Sequence, residues 1–415
     1  MNIIEELEWR GLIKDCTDKE LLKKLVEEHA TVYCGYDPTA ASLHIGHLVP
    51  VLTLRRLQQA GLRVIALVGA GTGLIGDPSG RKSERQLLTL EQSRINAEGL
   101  KSQLGRYLDF SDPKKTLMVS NYDWLKDINV ISFLRDYGKN FSINYMLAKD
   151  VVASRLEAGI SYTEFSYMLL QSIDFLHLYQ EEHCQIEMGG SDQWGNITAG
   201  VEMIRKVTGN SDVCGFVLPL ITKADGTKFG KSAGGAFWLD RNLTSPYQIY
   251  QYFLNSADSE VIHYLKVFTF LTREEIEALE VKVSEHPEFR EAQKVLAYEV
   301  VKLMHSKEDA DDCVKMSEVL FGGNVKDLTL DQIELCFEGV PSLTVSEGDS
   351  LVDKLIEIKA CSSKRDAREL ISKGTFSLNG EKTTDTYLTL TKDLAIDGKV
   401  IVVRKGKKKY FLFRF

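Results

Sequence analysis

The chain has 415 residues, 44% of them hydrophobic and 27% charged, an ordinary composition for globular protein and enough for two to four domains. No stretch reaches bilayer-spanning length, and Met1-Asn2-Ile3-Ile4-Glu5-Glu6 lacks a basic segment followed by an apolar run, so a cytoplasmic protein without a membrane is expected. The net charge of −8 hides an asymmetry: from Leu351 to Phe415 there are 15 Lys and Arg against 8 Asp and Glu, so a +7 module follows a body carrying −15.

In chain order, Thr31 to Gly35 reads as a buried strand, Leu48 to Ala60 as a helix closed by Gly61, and Arg63 to Val68 as a second strand. Thr116 to Ser120, Cys184 to Met188 and Phe216 to Ile221 are further strands, with helical patterns at Thr163 to Tyr179 and Gln193 to Val207 between them. This βαβ rhythm predicts a doubly wound, Rossmann-like parallel sheet in an α/β domain over 1–222. In such a sheet ligands sit beyond the carboxyl ends of the strands, where Gly35 and Gly69 to Gly76 fall. From Pro246 to Leu320 the pattern is helical only, giving an α-helical domain over 223–322. Gly322-Gly323-Asn324 and Pro341 to Asp349 read as a linker over 323–350. The small α+β module at 351–415 carries helices at Val352 to Lys359 and Arg365 to Ser372, then strands at Phe376 to Leu378 and Val400 to Val403, with a turn at Asn379-Gly380.

Seven cysteines, an odd number without C-x-x-C spacing, fit reduced thiols better than disulfides or zinc. Two strings carry more chemistry: His44-Ile45-Gly46-His47, and Lys228-Phe229-Gly230-Lys231-Ser232 about 180 residues later. Imidazoles near a helix start can donate to phosphate oxygens, and lysines on a glycine-rich loop can neutralise charge on a leaving group. Arg81, Lys82 and Arg85 form a second basic cluster after Gly80. Tyr167, Gln171 and Asp174 fall at i, i+4 and i+7, so they share one helix face. That polar stripe amid Phe165, Met168, Leu169 and Leu170 meets either a ligand or a self-satisfied hydrogen-bond cluster. The basic tail, with Lys364-Arg365-Asp366-Ala367-Arg368 and Arg404-Lys405-Gly406-Lys407-Lys408-Lys409, is what a nucleic-acid-binding appendage or a solubilising tail would show.

The two strings, set at the ends of a dinucleotide-type fold, resemble the paired HIGH and K-M-S-K-S motifs of class I aminoacyl-tRNA synthetases. Over nearly its whole length the chain resembles the bacterial tyrosyl-tRNA synthetases. The stretches that carry this are Tyr33 to Thr39, Gly76 to Gly80, Tyr167 to Asp174 and Gly189 to Asn196, and the C-terminal module is similar to the S4-type RNA-binding domain. Phe229-Gly230 departs from the usual Met-Ser while keeping both lysines.

The resemblance implies a ligase that forms tyrosyl-adenylate from L-tyrosine and ATP and transfers the amino acid to tRNA(Tyr). It implies that Tyr33 and Asp174 hold the phenolic hydroxyl, that Asp77, Tyr167 and Gln171 surround the α-ammonium, and that Gln193 lies by the carboxylate and α-phosphate. ATP falls to Cys34, Gly35, Asp37, Thr39, His44, His47, Gly190, Asp192, Lys228, Lys231 and Ser232, with Arg81 and Arg85 beside the pyrophosphate. RNA contact falls to Lys364, Arg365, Arg368, Arg404, Lys405, Lys407, Lys408 and Lys409. Mg2+ is expected with the ATP, with no protein-bound metal and no organic cofactor, and a homodimer is implied, with the aromatic-rich stretch Val130 to Met146 as a candidate contact. Three alternatives remain on the sequence alone: a tryptophanyl-type enzyme of the same class, an RNA-binding homologue without catalysis, and another adenylate-forming nucleotidyltransferase.

Overall fold

The computed structural model describes residues 2–80, 86–157, 159–223, 226–227, 229–232, 235–321, 324–406 and 409–415, with backbone alone at 150–151, 231–232 and 320–321. Two compact units emerge, residues 1–244 with 256–296 and residues 245–255 with 297–415. The helical stretch read as one domain over 223–322 thus contributes to both.

In the first unit, strands β1 (Asp15–Cys16), β2 (Thr31–Tyr36), β3 (Arg63–Val68), β4 (Thr116–Ser120), β5 (Cys184–Gly190) and β6 (Cys214–Leu218) form a sheet in the order β1-β6-β5-β2-β3-β4. The five central and outer strands β2 to β6 run parallel. Most of β2 and β3 is buried, which is why both read as continuous apolar runs rather than alternations. The edge strand β1 pairs antiparallel with β6; with two residues it leaves no periodic trace in the sequence. The last parallel strand ends at Leu218, short of the predicted Ile221.

The chain leaves β2 toward β3 and β4 on one side and later fills β5 and β6 on the other. The direction of winding therefore reverses between β2 and β5, and a crevice opens beyond their carboxyl ends. The crossover helix Leu48–Gln59 stops where Gly61 takes a left-handed φ of 94°. Helix Tyr162–Glu182 starts at Ser161, whose hydroxyl accepts the Glu164 N–H, and ends at left-handed His183. The C-terminal end of helix Asp258–Phe268 is held by two buried arginines. Arg10 donates to the carbonyls of Lys266, Thr269 and Leu271, and Arg56 to those of Val267 and Thr269.

The second unit contains a five-stranded sheet ordered β11-β10-β12-β13-β9, from β9 (Ser342–Thr344), β10 (Phe376–Leu378), β11 (Glu381–Lys382), β12 (Val400–Lys405) and β13 (Lys409–Arg414). Asn379 and Gly380 both have positive φ, 47° and 90°, the geometry a two-residue hairpin turn requires. Helices Leu351–Glu357 and Lys364–Ser372 cover a core that includes Leu355, Ile371, Phe376, Ile401 and Phe413. The stretch 323–350, read as a linker, is not irregular throughout. It carries helix Leu330–Cys336 with a capping box at Thr329 and Gln332, and β9 pairs parallel with β13. A three-residue strand beside Pro341 and Gly348 gives punctuation but no alternation, which is why it escaped notice.

Candidate active site

The histidine string leads into the crossover helix through a short turn, Ile45–His47. His44 Nδ1 accepts the Gly46 N–H at 3.1 Å and His47 Nδ1 accepts the His44 N–H at 3.2 Å. Each neutral ring therefore carries its proton on Nε2, as a donor. The rings stack at 3.8 Å. A Cβ at position 46 would lie 2.9 Å from His44 Cε1, so only glycine leaves room for this pair.

The second string is brought onto the first. Ile45 N–H donates to the Phe237 carbonyl and Leu239 N–H to the Leu43 carbonyl, forming an antiparallel bridge between His44 and Trp238. Gly230 has φ 76°, and a Cβ there would meet Ile45 Cγ1 at 2.7 Å. Phe229 is buried and stacks on Phe268 at 4.9 Å, with Tyr264 at 5.2 Å. The departure from the usual motif thus has a packing reason: Phe229 fills an aromatic pocket and Gly230 lies against the histidine turn. The backbone of Lys231–Ser232 (β7) pairs with Gly235–Ala236 (β8). Lys228, Arg81, Lys82 and Arg85 lie outside the described residues.

Beside this, helix Tyr162–Glu182 turns its polar stripe toward the strand ends, as the i, i+4, i+7 spacing requires. Tyr167 Oη donates to Asp37 Oδ2 at 2.8 Å, and Gln171 Nε2 donates to Glu187 Oε1 at 2.9 Å. Asp174 accepts from Asn121 Nδ2 at 2.9 Å and Trp124 Nε1 at 2.8 Å. Asp77 accepts from Gln193 Nε2 at 2.6 Å and from the Ser79 N–H. Asp37 also accepts from Thr72 Oγ1, and a Cβ on Gly69 would come within 2.1 Å of Asp37 Oδ1. Position 69 must therefore be glycine.

Four carboxyl groups converge here with two tyrosines. Burial pushes the Tyr33 hydroxyl well up, with Glu187 and Asp174 adding to it; Tyr167 is pushed up by burial and then by Asp37, Asp77 and Asp174. Asp174 is raised by burial against the pull of its two N–H donors, and Glu187 is pushed up to about 7 by burial. Tyr33 Oη, Gln171 Oε1 and Glu187 Oε2 are buried without a hydrogen-bond partner. Cys34, within β2, is a neutral thiol pushed up to about 12 by burial. Gly35 and Thr39 are exposed at the crevice mouth. A Cβ on Gly190 would lie 2.6 Å from Asp192 Oδ1, so the glycine gives that carboxyl its space.

Sequence reasoning missed Glu187, Asn121, Trp124 and Thr72. Only Glu187 left a signal, a single acid flanked by Ile186 and Met188 in a buried strand; the others reach the site by tertiary packing. The basic strings of the second unit also come together. Lys364, Arg365 and Arg368 are exposed on one helix, Lys364 being paired with Asp353 at 2.7 Å. Lys405 Nζ donates to the Ala360 carbonyl at 2.6 Å, which brings the end of β12 beside that helix start. Arg404 is half-buried and Lys409 exposed, while Lys407 and Lys408 lie outside the described residues.

Residues 24–322 match the family model described as tRNA synthetases class I (W and Y), and 332–413 match the tyrosine--tRNA ligase SYY-like C-terminal domain. The tyrosine--tRNA ligase of Geobacillus stearothermophilus is 53% identical over 418 aligned residues, covering 100% of both chains. Tyrosine--tRNA ligase 1 of Bacillus licheniformis is 54% identical, covering 100% of this chain and 99% of the other. Among solved structures, a C-terminally truncated Aspergillus nidulans mitochondrial tyrosyl-tRNA synthetase superposes with a TM-score of 0.69 at 33% identity, over 77% of this chain and 94% of that one. With matches at this identity along its entire length, and a catalytic-unit and a C-terminal family model side by side, the chain belongs to the tyrosine--tRNA ligases, class I aminoacyl-tRNA synthetases.

Proposed function

We propose that the crevice between β2 and β5 activates L-tyrosine with ATP and hands it to tRNA(Tyr), with the residues divided as follows. Tyr33 and Asp174 take the phenolic hydroxyl. Asp77, Tyr167 and Gln171 take the α-ammonium, and Asp37, expected from the resemblance beside ATP, instead accepts the Tyr167 hydroxyl and fixes it from behind. Cys34, Gly35, Thr39, Gly190 and Asp192 receive the nucleoside. His44 and His47 present Nε2–H donors to the phosphates, Gln193 attends the carboxylate and α-phosphate, and Lys228, Lys231 and Ser232, with Arg81 and Arg85, meet the pyrophosphate.

The observation that carries this reading is the acidic cluster of buried Asp77, Asp174 and Glu187 with half-buried Asp37 around two tyrosine hydroxyls. A site so rich in carboxyl groups selects a cation, and an ammonium joined to a phenol fits both features. The tyrosine carboxylate attacks the α-phosphorus of ATP, pyrophosphate departs, and the terminal ribose hydroxyl of tRNA then attacks the adenylate. The protein contributes positioning and stabilisation of charge on the pentacoordinate phosphorus and the leaving group. Mg2+ enters as part of the ATP substrate.

The +7 module binds tRNA through its clustered basic residues, and the exposed apolar side chains Val130, Ile131, Leu134 and Ile143 form the contact of a homodimer. No helix among the described residues is long and apolar enough to cross a membrane, and the cytoplasm is the compartment where the substrates meet. Amino-acid-dependent ATP–pyrophosphate exchange across the amino acids is the test. Tyrosine alone should support rapid exchange; exchange driven equally by tryptophan, or by no amino acid, would overturn the reading.

A further inference from the structure

Glu187 is the one member of the acidic cluster given no part in that division of labour, and its surroundings are specific. It sits on β5 opposite Gly215 of β6. On helix Trp194–Thr208 it faces Gly200, where a Cβ would stand 3.1 Å from Oε2, so the carboxyl occupies space that a glycine leaves. From helix Tyr162–Glu182 come Gln171, whose Nε2 donates to Oε1, and Asp174; from β2 come Tyr33 and Cys34, and from β5 itself Cys184. None of these carries a positive charge. Oε1 already accepts from Gln171, which leaves Oε2, unpartnered and buried, as the atom that takes a proton. The Tyr33 hydroxyl likewise has no partner at full hydrogen-bond geometry, yet Glu187 is both the side chain within reach of it and the charge that acts on it most strongly.

We propose that Glu187 is a positioning residue that sets the direction of the Tyr33 hydroxyl, and through it the affinity for the substrate phenol. This rests on the reading that Tyr33 meets that phenol. With Glu187 neutral, Oε2–H donates to Tyr33 Oη, Tyr33 donates to the substrate oxygen, and the substrate hydroxyl donates to Asp174. Every oxygen in this chain then has its partner. With Glu187 ionised, Oε2 becomes an acceptor and draws the Tyr33 proton away from the substrate, and one hydrogen bond is lost. The same burial that pushes Glu187 up to about 7 places the reversal in the physiological range.

Tyrosine affinity should then weaken about fivefold as the pH rises from 6 to 8.5, the scale of one net hydrogen bond, while phenylalanine, with no hydroxyl to accept, shows no change in that window. Tyrosine binding at pH 8 should take up protons, read by calorimetry in two buffers of different ionisation enthalpy, a measurement on the unaltered enzyme. In Glu187→Gln, whose amide donates at every pH, affinity should stay at the low-pH value and proton uptake should vanish. A wild-type profile without pH dependence, absence of proton uptake, or an unchanged profile in Glu187→Gln, which would assign the titration to Asp174, overturns the proposal. Tyr33→Phe separates the two claims: unchanged discrimination between tyrosine and phenylalanine in that variant would sink the placement of Tyr33, whatever Glu187 does.

Discussion

At the scale of single residues the site is an exercise in satisfying oxygen atoms. Asp174 is only 2% exposed, yet each of its oxygens meets an N–H, from Asn121 and Trp124. Trp124 in turn stacks on His177 at 4.3 Å. These donors hold the carboxyl as an acceptor for a substrate hydroxyl despite a burial that favours its neutral form. A pocket of this kind rejects the analogue lacking the hydroxyl by about 10⁴ to 10⁵, a figure known from synthetases of this specificity rather than obtained from this chain. Asp174→Ala should therefore lose tyrosine activation far more than phenylalanine activation. It should also cost about 1–3 kcal/mol of stability through the two stranded donors. Equal loss for both amino acids in activation kinetics would remove Asp174 from the phenol site. The i, i+4, i+7 stripe made Tyr167, Gln171 and Asp174 legible in sequence because helical spacing is a local property. Asn121 and Trp124 were not, since they follow β4 and reach Asp174 only once the parallel sheet is assembled.

At the scale of elements, the contact between the two signature strings stands out. Ile45 donates to the Phe237 carbonyl and Leu43 accepts from the Leu239 N–H, and Gly230 rests on Ile45 in a left-handed conformation. Alanine at 230 would face both that φ, costing about 1–2 kcal/mol, and a collision with Ile45 Cγ1. Gly230→Ala should slow tyrosine-dependent pyrophosphate exchange about tenfold while leaving tyrosine affinity intact, because the pocket of Asp174 is untouched. A wild-type rate would show that the docking of this loop is irrelevant to activation. The buried runs of β2 and β3 and the Asn379-Gly380 turn were readable because each signal is dense and short-range. The two-residue β1 and three-residue β9 were not, since their pairing partners decide whether they are strands at all. The second unit's last strand, Lys409–Arg414, has no counterpart in the sequence reading, because its opening Lys409 continues the basic run that starts at Arg404.

At the scale of the whole molecule, charge divides the labour: an acidic catalytic body and a basic C-terminal module. Because β9 belongs to the sheet of that module, a chain ending at Gly339 removes the whole sheet, at the cost of the Glu334–Arg414 ion pair and the Phe337–Tyr410 contact, whereas one ending at Ser350 leaves an unpaired strand behind. The shorter chain should form tyrosyl-adenylate at nearly the wild-type rate yet charge tRNA poorly, and its residual charging should depend less steeply on salt, as expected when lysine and arginine contacts to phosphate are lost. Undiminished aminoacylation would show that the module does not bind tRNA.

The rung joining His44 to Trp238 also bears on how the enzyme comes into being. Its two sides come from distant parts of the first unit's sequence, with β3 to β6 laid down between them. Such long-range pairings close late, because the entropy of bringing distant segments together must be met before they contribute anything. The nucleotide grip is therefore among the last features to appear during folding. A partly folded chain would hold a sheet without being able to hold ATP.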